Sequence, residues 1–218
     1  MKDFLGKKIL VTAGPVWVAI DEVRVITNIF RGNLGFLLAK EGAKRGAKVT
    51  LLWAQGGMSL PKKLPQNLKV IPFKYFDELF KLMKKEIKSK KYDIVLHSAS
   101  VADFKPKKCY FGKISSKKDL ILHLEPTIKI VDYIKKWDPK IFLVKFKLEA
   151  RLKKKELIER AFESMLKSKA DLIVANDLKN IKEKKHLAFI IDPQKNIVSC
   201  QTKKEIVKKL FLILKKKI

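Results

Sequence analysis

The stretch ILVTAGPVWVAIDEVRVITNIFRGNLG, residues 9–35, decides the fold. Its first four residues are apolar or β-branched and run into Ala13-Gly14-Pro15, which predicts a buried strand that ends at a turn. Further along, Asn33 is a residue type that caps helices, and a helical pattern follows it. Gly32 and Gly35 flank this helix start and leave room for a phosphate at the positive end of the helix. The stretch therefore predicts a βα unit that handles a phosphate, although its spacing is not the G-x-G-x-x-G of ordinary dinucleotide sites.

The apolar pattern predicts alternating strands and helices along the rest of the chain. Continuous apolar runs predict strands covered on both faces, and apolar residues at helical spacing predict amphipathic helices. The predicted strands are 49–53, 68–73, 92–97, 120–124, 141–146 and 171–175, and the predicted helices are 35–46, 76–87, 127–137, 153–168 and 202–216, with a hairpin about Pro193–Asn196. We therefore expect an α/β protein with a Rossmann-like, doubly wound, mostly parallel sheet, helices on both faces and a C-terminal β-hairpin plus helix. Without an internal repeat or a long linker, we expect one domain over residues 1–218.

The net charge of +28 bears on the class of partner. Alone it favours nucleic acid, a membrane surface or anionic small substrates. Only five of the 50 cationic residues are arginine, and the lysines are spread along helix faces, whereas nucleic-acid readers more often use arginine forks and aromatic platforms. Nucleic-acid binding is therefore the weaker hypothesis. Because no apolar run is long enough to span a bilayer, we expect a cytoplasmic protein that does not bind a membrane.

The predicted strand ends suggest a ligand cleft. In an open parallel sheet, ligands bind outside the carboxyl ends of the strands. Here those ends are built from small or polar residues at 13–15, 54–57, 98–103, 146–149 and 176–177. Their convergence predicts a cleft for a phosphorylated or nucleotide ligand, although such residues also make plain turns.

Few residues suggest proton transfer or metal binding. His97, His123 and His186 each lie in or beside an apolar run without a second ligand at helical spacing, so we expect core or edge positions for them. The two cysteines have no metal-ligand spacing, and we expect no protein-only metal site. Positioning and charge stabilisation should dominate any catalysis.

Read together, the motifs resemble the phosphopantothenate–cysteine ligase family of coenzyme A synthesis. The matching segments, in order, are TAGP (12–15), ID-x-VR (20–24), ITN (26–28), GNLGFLLA (32–39), RGAKVTLL (45–52), ASVADFKP (99–106), GKI (112–114), LEPT (ending at 127), VKFKLE (144–149) and VANDL (174–178). The resemblance implies a nucleotide-dependent ligation of 4'-phosphopantothenate with cysteine. An acyl-nucleotidylate is the intermediate, and the products are 4'-phosphopantothenoylcysteine, nucleoside monophosphate and pyrophosphate.

The resemblance also implies roles for individual residues. Lys113 would steady the triphosphate, and Asn28, helped by Arg24, would hold the acyl intermediate. The implied nucleotide-binding residues are Gly14, Ala99, Ser100, Asp103, Thr127, Ile128, Lys129, Ile130 and Phe146, and those implied for the phosphate of phosphopantothenate are Gly32, Asn33 and Gly35. The cosubstrate would be CTP or ATP with Mg²⁺.

The resemblance further implies partners. A homodimer is expected, with the lysine-rich excursion about residues 105–120 as a flap or dimer arm. In many bacteria a flavin-dependent decarboxylase domain precedes this ligase. This chain begins at the first strand of the ligase, so the decarboxylase is expected to be a separate protein.

Three departures from the family pattern leave alternatives open. Apolar residues stand at 16–19, where a polar loop is usual, and Ile29-Phe30 replaces a polar or serine-rich piece. Members that use CTP carry two lysines where this chain has Ser164 and Ser168, so the choice of nucleotide stays open. The alternatives are a related nucleotide-binding module with lost or altered ligase activity, and a basic nucleic-acid-binding protein.

Overall fold

A computed structural model describes residues 2–182 and 185–218. Within these residues the strands are β1 (Lys8–Ala13), β2 (Val18–Ala19), β3 (Val25–Ile26), β4 (Lys48–Ala54), β5 (Leu68–Phe73), β6 (Ile94–His97), β7 (Phe104–Pro106), β8 (Leu124–Pro126), β9 (Phe142–Glu149), β10 (Leu172–Ile181), β11 (His186–Ile191) and β12 (Ile197–Cys200). The helices are α1 (Asn33–Lys44), α2 (Phe76–Lys88), α3 (Val131–Trp137), α4 (Lys154–Ser168) and α5 (Lys203–Lys217).

The central sheet has the strand order β12-β11-β10-β9-β6-β1-β4-β5. Strands β10, β9, β6, β1, β4 and β5 are parallel, and the hairpin of β11 and β12 adds an antiparallel edge. From β1 the chain winds outward through β4 and β5, and then returns to β6 and continues in the opposite direction. The carboxyl ends of β1 and β6 therefore meet at the switch point of a doubly wound sheet, where ligands bind in such folds. The predicted fold class is confirmed.

Both faces of the sheet are covered, which explains the continuous apolar runs. Along β1, Ile9 and Val11 face a core shared with α1 and α5, while Leu10 faces a core shared with α2 and α4. Each of these three side chains is fully buried.

Two small hairpins stand apart from the central sheet. Strand β2 pairs with β3, and β7 pairs with β8, both antiparallel. These hairpins lie close together through β2 and β7. The second hairpin brackets the lysine-rich excursion, whose strand is Leu124–Pro126 rather than the predicted 120–124.

Two further details differ from the sequence prediction. Asn33 is the first residue of α1 and does not cap it. The cap position is Gly32, in the left-handed conformation at φ 88°, and no side chain among the described residues bonds this helix end. Asn176-Asp177 does not stop β10 either, because these two residues pair in register with Leu148 and Glu149 of β9.

No helix among the described residues has both the length and the apolar content that a membrane span requires.

Candidate active site

Backbone hydrogen bonds join the loops that follow β1 and β6. The amide of Ser100 donates to the carbonyl oxygen of Gly14 at 2.9 Å, and the amide of Val16 donates to the carbonyl oxygen of Ser100 at 3.1 Å. The amide of Ala99 donates to the hydroxyl of Thr12 at 3.1 Å. Gly14, Ala99 and Ser100, which the sequence assigned to one site, therefore lie together at the switch point of the sheet.

Glycines let the start of α1 approach this point. Gly14 and Gly32 have φ values of 95° and 88°, which L side chains rarely adopt. A Cβ on Gly32 would lie 2.9 Å from the backbone of Gly14, and one on Gly35 would lie 2.4 Å from the Cβ of Ala13. Close packing of α1 on β1 is thus sufficient to explain why position 35 is a glycine, and no ligand is needed for this explanation.

The turn between β2 and β3 is built on a buried carboxylate that the sequence analysis did not single out. The Asp21 side chain has no accessible surface. Its Oδ1 accepts from the amides of Val23 at 2.8 Å and Arg24 at 2.7 Å, and its Oδ2 accepts from the Arg24 guanidinium at 2.5 Å and from the amide of Ile114 at 3.1 Å. Burial disfavours the charged form, but these hydrogen bonds outweigh it and lower the pKa of Asp21 to about 2. The carboxylate is therefore ionised at neutral pH.

The lysine-rich excursion is attached to this turn. Both terminal nitrogens of the Arg24 guanidinium donate to the carbonyl oxygen of Ile114 at 3.2 Å. The amide of Glu22 donates to the carbonyl oxygen of Gly112 at 3.3 Å, and the amide of Tyr110 donates to that of Ile20 at 3.0 Å. The backbone around Lys113 is consequently held against the turn that carries Arg24.

Asn28 lies on the same connection, after β3. Its side-chain amide donates to the carbonyl oxygen of Val101 at 3.1 Å, which ties this loop to the one that follows β6. The Lys113 side chain is exposed, and no hydrogen bond joins it to Asn28 in the part of the chain that is described. The structure thus brings the segments of Asn28, Arg24 and Lys113 to one region, with direct contact between the Arg24 side chain and the excursion.

The turn before α3 is fastened to the loop after β6. The Thr127 hydroxyl donates to the carbonyl oxygen of Ala102 at 2.7 Å, and the Thr127 amide donates to that of Asp103 at 2.9 Å. The Lys129 ammonium forms an ion pair with the Asp103 carboxylate. Ile128 is half exposed, whereas Ile130 is buried. These sequence-predicted residues cluster beside Ala99 and Ser100, while Phe146 lies on β9 and packs against the core on the α1 side.

A buried polar row lies beneath these loops. The Thr12 hydroxyl and Nδ1 of His97 are 3.0 Å apart. Burial first, and then the nearby Lys145 ammonium, lower the pKa of His97 to about 4, so the ring is neutral at pH 7. His97 and His186 are both buried, as predicted, whereas His123 is exposed.

Lys145 is the other residue that sequence reasoning did not single out. Its ammonium donates to the carbonyl oxygen of Ser164 at 2.8 Å and to the hydroxyls of Ser164 and Ser168 at 2.9 and 3.1 Å. Burial lowers the pKa of Lys145 to about 8, with neighbouring lysines adding to this and Asp132 opposing it. The two serines that replace lysines in α4 therefore surround a lysine that comes from β9.

The two apolar segments that depart from the family pattern differ in burial. Val16 and Val18 are buried in the core, so the apolar segment at 16–19 packs inward. Ile29 has 79% of its surface exposed. Together with exposed apolar side chains of the small hairpins and the excursion, it makes up an exposed apolar group, namely Val23, Ile29, Phe104, Phe111, Leu120, Ile121 and Leu124.

Comparison with known proteins identifies the family. The model of the DNA/pantothenate metabolism flavoprotein C-terminal domain matches residues 4–217. The bifunctional coenzyme A biosynthesis protein CoaBC of Thermococcus kodakarensis is 40% identical over 178 residues, which are 82% of this chain and 43% of that protein. This chain spans about half the length, or less, of the curated relatives it matches.

Solved structures agree with this match. The DNA/pantothenate metabolism flavoprotein from Streptococcus pneumoniae superposes with a TM-score of 0.88 at 29% identity, over 98% of this chain and 100% of that one. A Cab2 variant in complex with phosphopantothenate-cysteine superposes with a TM-score of 0.80 at 17% identity, over 97% of this chain and 87% of that one, and at this identity it shows the shared fold alone. The chain belongs to the family of the DNA/pantothenate metabolism flavoprotein C-terminal domain.

Proposed function

We propose that this chain is a phosphopantothenate–cysteine ligase that acts in coenzyme A biosynthesis. One observation carries the proposal: the Asn28 side chain bonds the loop after β6 at the switch point of the sheet, and the turn just before Asn28 holds the Lys113 segment. Family membership over residues 4–217 and the CoaBC names of the relatives support it. A reaction governed by charge suits this location, because helix α1 begins there and its first backbone amides point toward the loops.

The proposed reaction has two steps. A carboxylate oxygen of 4'-phosphopantothenate attacks the α-phosphorus of a nucleoside triphosphate, the bond to the bridging oxygen breaks, and pyrophosphate leaves. The amine of cysteine then attacks the acyl carbon, loses a proton and expels the nucleoside monophosphate. Both steps build negative charge on phosphate or carbonyl oxygens, so positioned donors and cations lower the barrier.

Exposure and existing bonds support the roles that the family resemblance implies. Lys113 is exposed and is free to meet the triphosphate. The side-chain NH₂ group of Asn28 donates to the carbonyl oxygen of Val101, and this bond does not use the side-chain oxygen of Asn28. The Arg24 guanidinium is committed to Asp21 and Ile114, which favours a role in holding the loop. The backbone amides of Gly32, Asn33 and Gly35 at the start of α1 are proposed to hold the substrate phosphate, as the resemblance implies.

The nucleotide is proposed to be CTP or ATP. Its binding residues are proposed to be Gly14, Ala99, Ser100, Asp103, Thr127, Ile128, Lys129, Ile130 and Phe146. Magnesium would arrive with the triphosphate, because the described residues contain no group of three acidic, histidine or cysteine side chains that could hold it. No step is therefore assigned to a metal held by protein side chains alone.

We also propose a homodimer, and a decarboxylase that takes the product. The exposed apolar group on the small hairpins and the excursion supports the dimer, since such patches mark interaction surfaces. Sedimentation of Phe111→Asp against the unmodified protein tests it, and an unchanged mass would exclude this surface as the dimer contact. Residues 1–218 are proposed to act as one ligase domain.

Pyrophosphate release tests the proposed activity. The purified protein is mixed with 4'-phosphopantothenate, cysteine, Mg²⁺ and either CTP or ATP. We expect release with one of the nucleotides, and a strongly reduced but still measurable rate in Lys113→Ala, whose circular dichroism spectrum should be unchanged. Lys118→Ala, an exposed lysine on the same excursion, is the matched control and should retain full activity. Absence of pyrophosphate with both nucleotides would refute the proposal.

A further inference from the structure

We propose that Asp21 is a positioning residue that holds Lys113 at the active site. This inference rests on the proposed function, since it gives Lys113 the task of meeting the triphosphate. The two carboxylate oxygens of Asp21 have separate tasks. Oδ1 bonds the amides of Val23 and Arg24 and thereby closes its own turn, whereas Oδ2 bonds the amide of Ile114, 93 residues away.

Burying the ionised Asp21 carboxylate costs solvation free energy, which hydrogen-bond donors of the protein must offset. An ionised carboxylate without accessible surface loses its hydration, so burial is tolerated only when donors replace the water. Two local amides, one distant amide and the Arg24 guanidinium supply those donors. Two of these four bonds depend on Oδ2, and the bond to Ile114 exists only while the excursion is docked.

The excursion itself has little else to hold it near Lys113. Lys113 and the neighbouring Phe111 are exposed, and Gly112 has a left-handed φ of 68° with open space around it. The bonds that hold this segment run to the turn at residues 20–24, from Tyr110, Gly112 and Ile114. Asp21 and Arg24 together bond both the amide and the carbonyl oxygen of Ile114. The residue that follows Lys113 is therefore clamped, while the Lys113 side chain stays available to a ligand.

The clamp has a consequence for catalysis. Holding a flexible lysine near its target removes the entropy that would otherwise be lost during the reaction, and a displacement of about 1 Å can cost about 100-fold in rate. Asp21 acts through Lys113 and not on the substrate, because its side chain is inaccessible.

Asp21→Asn separates the two tasks of the carboxylate. The amide oxygen can still accept from Val23 and Arg24, whereas an NH₂ group in place of Oδ2 presents a donor to the donors of Ile114 and Arg24. We expect kcat for pyrophosphate release to fall tenfold or more, with the cysteine KM changed less than threefold. Glu22→Gln, an exposed neighbour whose side chain forms no hydrogen bond or ion pair with the described residues, should keep the normal kcat.

Two measurements distinguish positioning from a general loss of structure. Amide hydrogen exchange at Ile114 should accelerate at least tenfold in Asp21→Asn, while protection at Val23 and Arg24 is kept. In the Lys113→Ala background, Asp21→Asn should lower the residual rate less than twofold, because the group it positions is gone. Asp21→Glu, with a longer side chain, should recover less than the full rate.

Each outcome decides the inference. A normal kcat in Asp21→Asn, or losses that multiply in the double variant, would overturn it. Unchanged hydrogen exchange at Ile114 in Asp21→Asn would also overturn the inference, and this measurement does not depend on enzyme activity. If the unmodified protein released no pyrophosphate, only the proposed ligase activity would be refuted.

Discussion

Replacing Lys145 with methionine should stabilise the protein at neutral pH. Lys145 as a whole residue is 6% exposed, and its ammonium bonds only neutral oxygens of Ser164 and Ser168 among the described residues. Burial lowers the pKa of Lys145 from 10.5 to about 8. At about 1.4 kcal/mol per pKa unit, keeping this ammonium charged costs the folded state roughly 3 kcal/mol at pH 7.

The sign of the pH dependence follows from linkage. The unfolded chain binds the proton more tightly than the folded protein, so the penalty is fully present below pH 8 and disappears as the pH rises toward 10.5. Between pH 7 and pH 10 the penalty falls by about 2–3 kcal/mol. Methionine has nearly the same length and carries no proton, so Lys145→Met lacks this dependence.

The lost hydrogen bonds offset part of the gain. The hydroxyl of Ser168 retains acceptors at the carbonyl oxygens of Ser164 and Met165, whereas the Ser164 hydroxyl loses its donor. One such hydrogen bond contributes about 1 kcal/mol. We expect Lys145→Met to be about 2 kcal/mol more stable at pH 7, or about 4–8 °C higher in Tm, and to lose this advantage by pH 10.

Urea unfolding of both proteins at pH 7, 8, 9 and 10 measures the difference directly. Other groups titrate in this range, but they cancel in the comparison of the two proteins. The reasoning is refuted if the difference between Lys145→Met and the unmodified protein is the same at pH 7 and pH 10, or if the variant is less stable at pH 7.

Three further predictions follow from the site. Gly35→Ala should destabilise the protein by about 1–3 kcal/mol in urea unfolding, because the new Cβ would lie 2.4 Å from the Cβ of Ala13. Gly42→Ala is the milder control, since its Cβ would lie 3.2 Å from the flexible end of the Ile9 side chain. Equal stabilities of the two variants would contradict the packing argument. Asn28→Asp loses the amide that donates to Val101, and mass spectrometry should detect accumulated acyl-nucleotidylate; normal output of the amide product would remove Asn28 from the second step. The pKa of Asp21 is lowered from 3.8 to about 2, so the stabilising effect of its carboxylate is present above pH 4 and is lost as the pH falls through 2. The Tm of Asp21→Asn should therefore fall less steeply with acid than the Tm of the unmodified protein. Parallel curves of Tm against pH would exclude this assignment.

The fold class could be predicted from the sequence because burial has a local signature. Strands covered on both faces leave continuous apolar runs, and helices covered on one face leave a stripe, so the alternation from β1 to α5 is visible without coordinates. The order of the motifs was also sufficient to suggest the family. Element ends were less accessible, since the α1 cap at Gly32 and the continuation of β10 past Asn176 depend on neighbours elsewhere in the chain.

The amino-acid sequence by itself determined the alternation of the main strands and helices and the loops that end at the switch point, but not the small hairpins β2–β3 and β7–β8. Only the tertiary structure decided that Asp21 bonds Ile114 and that Lys145 lies between Ser164 and Ser168. The physical reason is the range of the interactions. A periodic pattern depends on residues that are close in sequence, and it reports which side chains face the core. The partner of a buried charge lies far away in sequence, so it is fixed only when the fold brings distant segments together.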